Sequence, residues 1–325
     1  MKRPTSCLQI LLGLLLAFAA AAPARAETFP SRPLHFILPY SPGGIIDFAG
    51  RVLAQKLSDA LGQPVVPENR PGGGGIVGVD AVAHSTPDGY TFAIMDPAIV
   101  TNPTLQKSMP YDLFKDLVTI SIVSSSPEVL VVAPQLNIST YQQLVAYGKA
   151  NPGKLNFASA GVGTTPQLAA EMWKAGTGID AVHVPYKGVG PSFIDLMGGK
   201  VQMEFSSIAG ALPFTTKGSV VPLATTGLKR SPVYPDLPTV AEAGLPGYEV
   251  DLWLGVYGPA NVPPDVLAKL NSGIAKALQD GELKTAFAKF GIEPRGTSLQ
   301  EGADFTKHEY EKWKKIIEDS HITLD

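Results

Sequence analysis

Short apolar runs alternate with segments of helical periodicity along most of the chain. Leu34–Leu38 reads as a strand that breaks at Pro39. The turn Ser41-Pro42-Gly43-Gly44 follows, and then an amphipathic stretch over 47–61 with Val52, Leu53, Leu57 and Leu61 on one face and Gly62 as its stop. A short strand over 65–67, a glycine loop over 72–75, a helix over 78–83 and a strand over 90–95 come next, the last announced by Asp88-Gly89. This βαβαβ order predicts a parallel sheet covered by helices.

The alternation then repeats. Strands are predicted over 129–133, 155–158, 181–184, 201–205 and 220–225, with helices over 140–150, 166–175 and 191–197, the second of these ended by Gly176. After a strand over 252–257 the pattern turns helical, over 264–278, 282–290 and 299–318. Ser298 and Glu301 have capping-box spacing for the last helix, whose buried stripe is Phe305, Trp313, Ile316 and Ile317. The fold class expected is α/β, with two Rossmann-like lobes joined by a two-crossover hinge. The first lobe spans 27–126 and returns over 251–325; the second spans 127–250, with crossings near 123–129 and 248–253. Ligand sites favour such junctions.

The first 26 residues change the picture of where the chain works. Lys2 and Arg3 precede a short apolar run over 8–22, and Ala24-Arg25-Ala26 is an A-x-A cleavage site, so export with cleavage after Ala26 is expected. The run is short for a membrane anchor. Cys7, the single cysteine, precedes the apolar run, so a lipid anchor is not expected, and the mature chain offers no disulfide, thiol nucleophile or thiolate metal site. Cleavage leaves 23 basic against 29 acidic residues, a charge of −6, which disfavours nucleic acid.

The candidate chemistry is anion binding. A strand–glycine turn–helix start aims bare backbone N–H groups and the positive end of a helix dipole at one point. Neither a Lys after the glycines nor G-x-G-x-x-G is present at Ser41–Gly44, so nucleotide fingerprints are not met. Gly43 and Gly44 permit close backbone approach, and Asp47 is placed to cap the following helix. A similar construction recurs over 155–167. There Ser159, Gly161, Gly163, Thr164 and Thr165 precede Pro166; Thr165 is the expected N-cap, and the hydroxyls of Ser159, Thr164 and Thr165 are candidate donors to a carboxylate. Two such turns on separate halves of the chain suggest a cleft that grips one ligand from both sides. Gly72–Gly75 lacks the Lys and Thr of a P-loop and is expected to pack beside the first turn. Arg70 is either a bidentate carboxylate partner or a structural ion-pair residue. The five histidines, His35, His84, His183, His308 and His321, show no metal-ligand spacing, acidic residues appear singly, and Ser41 is not in G-x-S-x-G, so neither a metal, a cofactor nor catalysis is indicated.

Several blocks in order resemble the substrate-binding proteins of tripartite tricarboxylate transporters, the Bug family. They are Phe29-Pro30-Ser31-Arg32-Pro33 with the Leu38–Gly44 turn, Glu68-Asn69-Arg70-Pro71-Gly72, Pro87-Asp88-Gly89-Tyr90-Thr91, His183-Val184-Pro185-Tyr186-Lys187-Gly188, Pro235-Asp236-Leu237-Pro238-Thr239, Glu242-Ala243-Gly244 and Pro246-Gly247-Tyr248-Glu249. The resemblance implies a periplasmic binding protein of Venus-flytrap architecture, non-catalytic and monomeric. It would hold a small carboxylate (a di- or tricarboxylate or an aromatic acid) and deliver it to a membrane permease with one large and one small subunit. It places the ligand against Tyr40, Ser41, Gly43, Gly44 and Asp47 in the first lobe. In the second it implies Ser159, Gly161, Gly163, Thr164, Thr165, Gln167, Tyr186 and Ser206. The family often has His where Gln167 stands and Asp where Ser206 stands. Losing that acidic residue removes a counter-charge for an amine, so a ligand without an ammonium group is expected. Phe48 and Trp253 are candidates for the pocket wall or for ordinary core. A sensory receptor presenting its ligand to a membrane kinase, or a periplasmic carboxylate-processing enzyme, are the competing readings; the enzyme would need a nucleophile–base pair at the cleft.

Overall fold

The computed structural model describes residues 28–42, 44–186 and 188–323. The leader, its cleavage site and Gly43 therefore lie outside the described residues. Among these residues no helix is long and apolar enough to cross a membrane. Residues 28–31 form a unit of their own, without helix or strand, and the account below concerns the unit from Arg32 onward.

Leu34, Phe36, Ile37 and Leu38 are fully buried in β1 (Leu34–Leu38). Helix α1 (Ile45–Leu61) follows, then β2 (Val65–Asn69), α2 (Ile76–Ala83), β3 (Thr91–Met95) and α3 (Ala98–Leu105). β2 and β3 pair parallel to β1 on either side, which is the sheet that the βαβαβ order predicts. β4 (Leu117–Ser125), β10 (Leu254–Pro259) and β11 (Glu293–Pro294) complete a six-stranded sheet of order β11-β4-β10-β3-β1-β2, with β10 antiparallel to both β3 and β4. The sheet is mixed because β4 leaves it at Ser125 and the chain comes back at the same end, so β10 has to run the opposite way.

The second sheet contains β5 (Glu128–Val132), β6 (Leu155–Ser159), β7 (Ala181–Pro185), β8 (Met203–Ser207) and β9 (Val221–Thr225), in the order β7-β6-β8-β5-β9. Helices α4 (Tyr141–Ala150), α5 (Thr165–Thr177), α6 (Val189–Met197), α7 (Ile208–Thr215) and α8 (Val240–Ala243) accompany it. Helices α9 (Pro264–Ala277), α10 (Gly281–Ala288) and α11 (Leu299–Asp319) follow β10, and α9 and α11 both pack on β4.

The two crossings lie side by side. Pro127 and Asp251 form an antiparallel bridge, Leu252 N–H donates to the Ser126 carbonyl at 2.9 Å, and the Ser125 hydroxyl donates to Asp251. The bulky core flanks them. Trp253 and Trp313 both donate to Glu309, at 2.9 and 3.0 Å, and Tyr248 donates to the Ala169 carbonyl at 2.8 Å. Each ring thus buries its apolar body and satisfies its polar tip.

Local expectations need correction in several places, and β4, α7 and α8, like α3, were not expected. Helix α1 starts two residues early, with Gly44 as N-cap, so Asp47 lies inside the first turn; its carboxylate accepts from Arg51 and Asn69, each at 2.9 Å, instead of capping. In α5 the N-cap is Thr164, not Thr165, because Pro166 takes the second helical position. The helix runs through Gly176, where Leu245 fills the space a side chain would occupy, and stops at Gly178 with φ 69°. Helix α3 was not expected: Pro103 within it masks its periodicity. The Ser298–Glu301 capping box is present, but the stripe of α11 is centred on Thr306, Glu309, Trp313 and Ile317, with Phe305 and Ile316 only partly buried.

Helix α2 sits hard against the end of β1. A Cβ on Gly78 would meet Pro39 Cβ at 2.6 Å and the Arg70 carbonyl oxygen at 2.9 Å, neither of which is a flexible tip. Gly78→Ala is therefore expected to destabilise the fold by about 1–3 kcal/mol, read as a lower urea midpoint at unchanged slope. An unchanged midpoint would refute the tight seating of α2 on Pro39.

Candidate functional site

A cavity of about 420 Å³ lies between the two sheets. Five helices begin on its wall: Ile45 of α1, Ala98 of α3, Thr165 of α5, Val189 of α6, and Ser207 as N-cap of α7. Each follows a strand, so the N-termini gather where strands end, the usual ligand position in open α/β sheets. The first N–H groups of a helix lack intrahelical partners and carry partial positive charge. A larger groove of about 590 Å³, walled by residues 106–114 and Tyr310, is built from a loop and carries no helix start.

The first sheet contributes Tyr40, Gly73, Gly74, Asp96 and Asn102 to the cavity. The glycine loop does pack beside the first turn: the Gly74 carbonyl accepts from the Tyr40 hydroxyl at 3.3 Å and from Asn102 at 3.1 Å. Asp96 Oδ1 accepts from Tyr40 at 3.0 Å and from the Ala98 N–H at 3.1 Å. Burial raises the Asp96 carboxyl above its usual range, against the opposing effect of those two bonds. Burial and the neighbouring Asp96 push the Tyr40 phenol far up, so it acts as a neutral donor.

The second sheet contributes the turn Ala160, Val162, Gly163, Thr164, Thr165 and Pro166. This turn is tied to itself. Gln167, buried, accepts the Gly163 N–H at 2.7 Å, the Thr164 hydroxyl donates to Gly161 O at 2.7 Å, and Ser159 Oγ lies 3.0 Å from Gly161 O and 2.6 Å from His183 Nε2. The hydroxyls of Ser159 and Thr164 are thus engaged within the turn. His183 stacks on Phe157 at 4.9 Å, and burial holds its imidazole down at about 4.

Of the residues singled out in the sequence, Tyr40, Gly163, Thr164 and Thr165 line the cavity. Ser41 and Gly44 are exposed beside it at the turn before α1. Asp47 is turned toward Arg51 and Asn69. Ser159, Gly161 and Gln167 shape the second turn from behind. Tyr186 donates to Asp195 at 2.9 Å, and burial with that carboxylate pushes its phenol up to about 12. Ser206 is fully buried with its hydroxyl unpartnered, while its neighbour Ser207 reaches the cavity. Arg70 is exposed and pairs with Glu68 at 3.1 Å. Phe48 packs on Phe290 at 4.3 Å, and Trp253 is core.

Sequence reasoning missed Asp96, Ala98, Asn102, Glu128 and Leu252, all on the cavity wall. Asp96-Pro97 after an apolar strand was a readable turn signal. Glu128, a lone acid opening the apolar run Val129–Val132, was a readable anomaly. The wall therefore carries two carboxyls, Asp96 and Glu128, and no Lys, Arg or His among the described residues. Ser206 removes one acidic position, but Asp96 and Glu128 still place carboxyls on this wall.

A two-lobed α/β chain with a cavity between sheets and helix N-termini around it has the build of a solute-binding protein. The chain belongs to the tripartite tricarboxylate transporter family receptors (TctC), whose profile matches residues 49–322. It is 36% identical over 317 residues to BugT of Bordetella pertussis, covering 97% of each chain. Among solved structures, it is similar to R. palustris Rpa4515 with adipate, at TM-score 0.78 and 32% identity over 91% of this chain and 99% of that one. It also resembles MatC of Rhodopseudomonas palustris with bound malate, at TM-score 0.72 and 28% identity over 89% of this chain and all of the other. The family and fold are those of periplasmic solute-binding receptors.

Glu204, fully buried on β8, accepts from Ser192 at 2.9 Å, and burial pushes its carboxyl up to about 8. It stays protonated in the fold while the unfolded chain ionises near its ordinary 4.5, so its effect is loss of stability as pH rises from 4.5 to about 8. Glu204→Gln removes that loss. The variant's stability relative to wild type is expected to improve steadily from about pH 5 to about pH 8 in denaturant unfolding; a pH-independent difference would refute the assignment.

Proposed function

We propose that this receptor captures a small organic carboxylate in the cavity between its sheets and delivers it to a membrane permease of the tripartite tricarboxylate type. The observation that carries this reading is the gathering of five helix starts on one wall that lacks any cationic side chain among the described residues. A carboxylate there is held by backbone N–H groups and hydroxyls in place of its water shell. Adipate and malate, named with two structural relatives, are dicarboxylates of the size such a cavity suits.

Both sheets contribute to the wall, so a form with the lobes closed makes contacts that an open form lacks, and ligand shifts the population toward closure. The permease then recognises the closed shape. On this reading Ser41, Gly43 and Gly44 act from the segment before α1, and the self-bonded turn at 159–167 supplies the facing jaw. Export to the periplasm, with cleavage after Ala26, belongs to the same proposal.

The test is a thermal-shift panel of mono-, di- and tricarboxylates, aromatic acids and amino acids, followed by calorimetric titration of those that shift. A shift grows with ligand excess over Kd. Ala160→Trp, which grows a large side chain from the cavity wall, is expected to weaken the best carboxylate by about tenfold or more while the protein stays folded. Undiminished affinity in that variant would place the ligand elsewhere.

A further inference from the structure

Glu128 is the first residue of β5, immediately after the chain crosses between sheets. Its backbone is fixed: its N–H donates to Thr226 Oγ1 at 2.7 Å, and its carbonyl accepts the Thr226 N–H at 2.9 Å. The residue is 1% exposed and lines the cavity, yet its carboxyl oxygen Oε2 has no hydrogen-bond partner. A buried polar group left unpaired costs free energy, and native structures rarely tolerate it without a role. The side chain shares a strand face with Leu130 and Val132, both fully buried, so the carboxyl stands at the edge of an apolar layer.

We propose that Glu128 binds the ligand directly as an uncharged carboxylic acid, donating its proton to an oxygen at the ligand end remote from the helix N-termini. It thereby selects ligands with a second oxygen acceptor over analogues that carry an ammonium group there. This rests on the reading of the cavity as the ligand site.

The surroundings keep Glu128 neutral. Burial is the main cause of its raised affinity for the proton, and the carboxyl groups of Glu204 on β8 and Asp251 in the segment before β10 add to it only where they ionise. Tyr248, also packed near it, is itself raised by burial and by Glu128. Asp96 stands on the cavity wall from the first sheet, raised as well. No Lys, Arg or His among the described residues lines the cavity to offset these acids. A neutral acid is the form in which such a group can face a carboxylate or hydroxyl, since two ionised carboxylates at that distance repel.

Adipate and malate are titrated into wild type, Glu128→Gln and Glu128→Ala alongside 6-aminohexanoate and 4-amino-2-hydroxybutanoate, in which an aminomethyl group carrying an ammonium replaces one terminal carboxylate. Glu128→Gln mimics the protonated acid, so it is expected to hold affinity within about threefold, while Glu128→Ala loses about tenfold or more. Wild-type affinity falls as pH rises and Glu128 ionises, and Glu128→Gln removes that dependence. The folded state of each variant is checked by near-UV circular dichroism. Equal binding by wild type and Glu128→Ala overturns the role of Glu128 alone. Preference for the ammonium analogues, abolished in Glu128→Gln, makes Glu128 a counter-ion and also overturns it. If no carboxylate in the wider panel binds wild type, the cavity reading fails, and this inference fails with it.

Discussion

The pairing of the two crossings is the constraint from which the rest of the architecture follows. Pro127 and Asp251 bridge, Ser126 and Leu252 share a backbone bond, and Ser125 caps the Asp251 carboxylate. Because β4 exits and β10 enters at one end, β10 must run antiparallel between β4 and β3. The same geometry sets Glu128 and Leu252, one from each crossing, on the wall of the cavity. Glu128 is held through its backbone by Thr226, and Leu252 through its N–H by Ser126, so both positions on the wall are fixed.

The helix starts depend on that frame in turn. A strand that ends beside the gap between sheets delivers the first N–H groups of its following helix to the gap. β1, β3, β6, β7 and β8 all do so. The turns between strand and helix are stiffened by bonds within the chain. Gln167 holds Gly163, Thr164 holds Gly161, and Tyr40 joins Gly74 to Asp96. Several of the side chains that sequence reasoning nominated as ligand donors are instead engaged in holding the turn: Gln167 takes the Gly163 N–H and Ser159 the Gly161 N–H.

What the sequence showed plainly was local. The apolar run at Leu34–Leu38, the helix stop at Gly62, the capping box of α11 and the parallel β2-β1-β3 core were all readable because each depends on residues within one or two elements. What it concealed was non-local. Asp47 has the residue type and spacing of a cap, but its partners Arg51 and Asn69 come from the helix interior and from the next strand. Gly176 looks like a helix stop until Leu245, nearly seventy residues on, fills its side. Ser206 pointed only to the loss of one counter-charge, and nothing local says that Glu128 is brought opposite Ser207 when β5 pairs antiparallel with β8.

A wall with helix termini and neutral acids, and no guanidinium or ammonium among the described residues, has an energetic consequence on the proposed reading. A bidentate arginine gives a carboxylate a strong, directional bond. Each helix terminus gives about 0.3–1 kcal/mol, up to about 2 when partly buried, so five together can offset the desolvation of one carboxylate only if the chain brings several to bear at once. Such a site binds when both sheets contribute and loosens when one withdraws, because no single contact suffices. Dependence on many weak donors from two lobes couples affinity to lobe position, which is what a receptor that must release its cargo at a membrane requires.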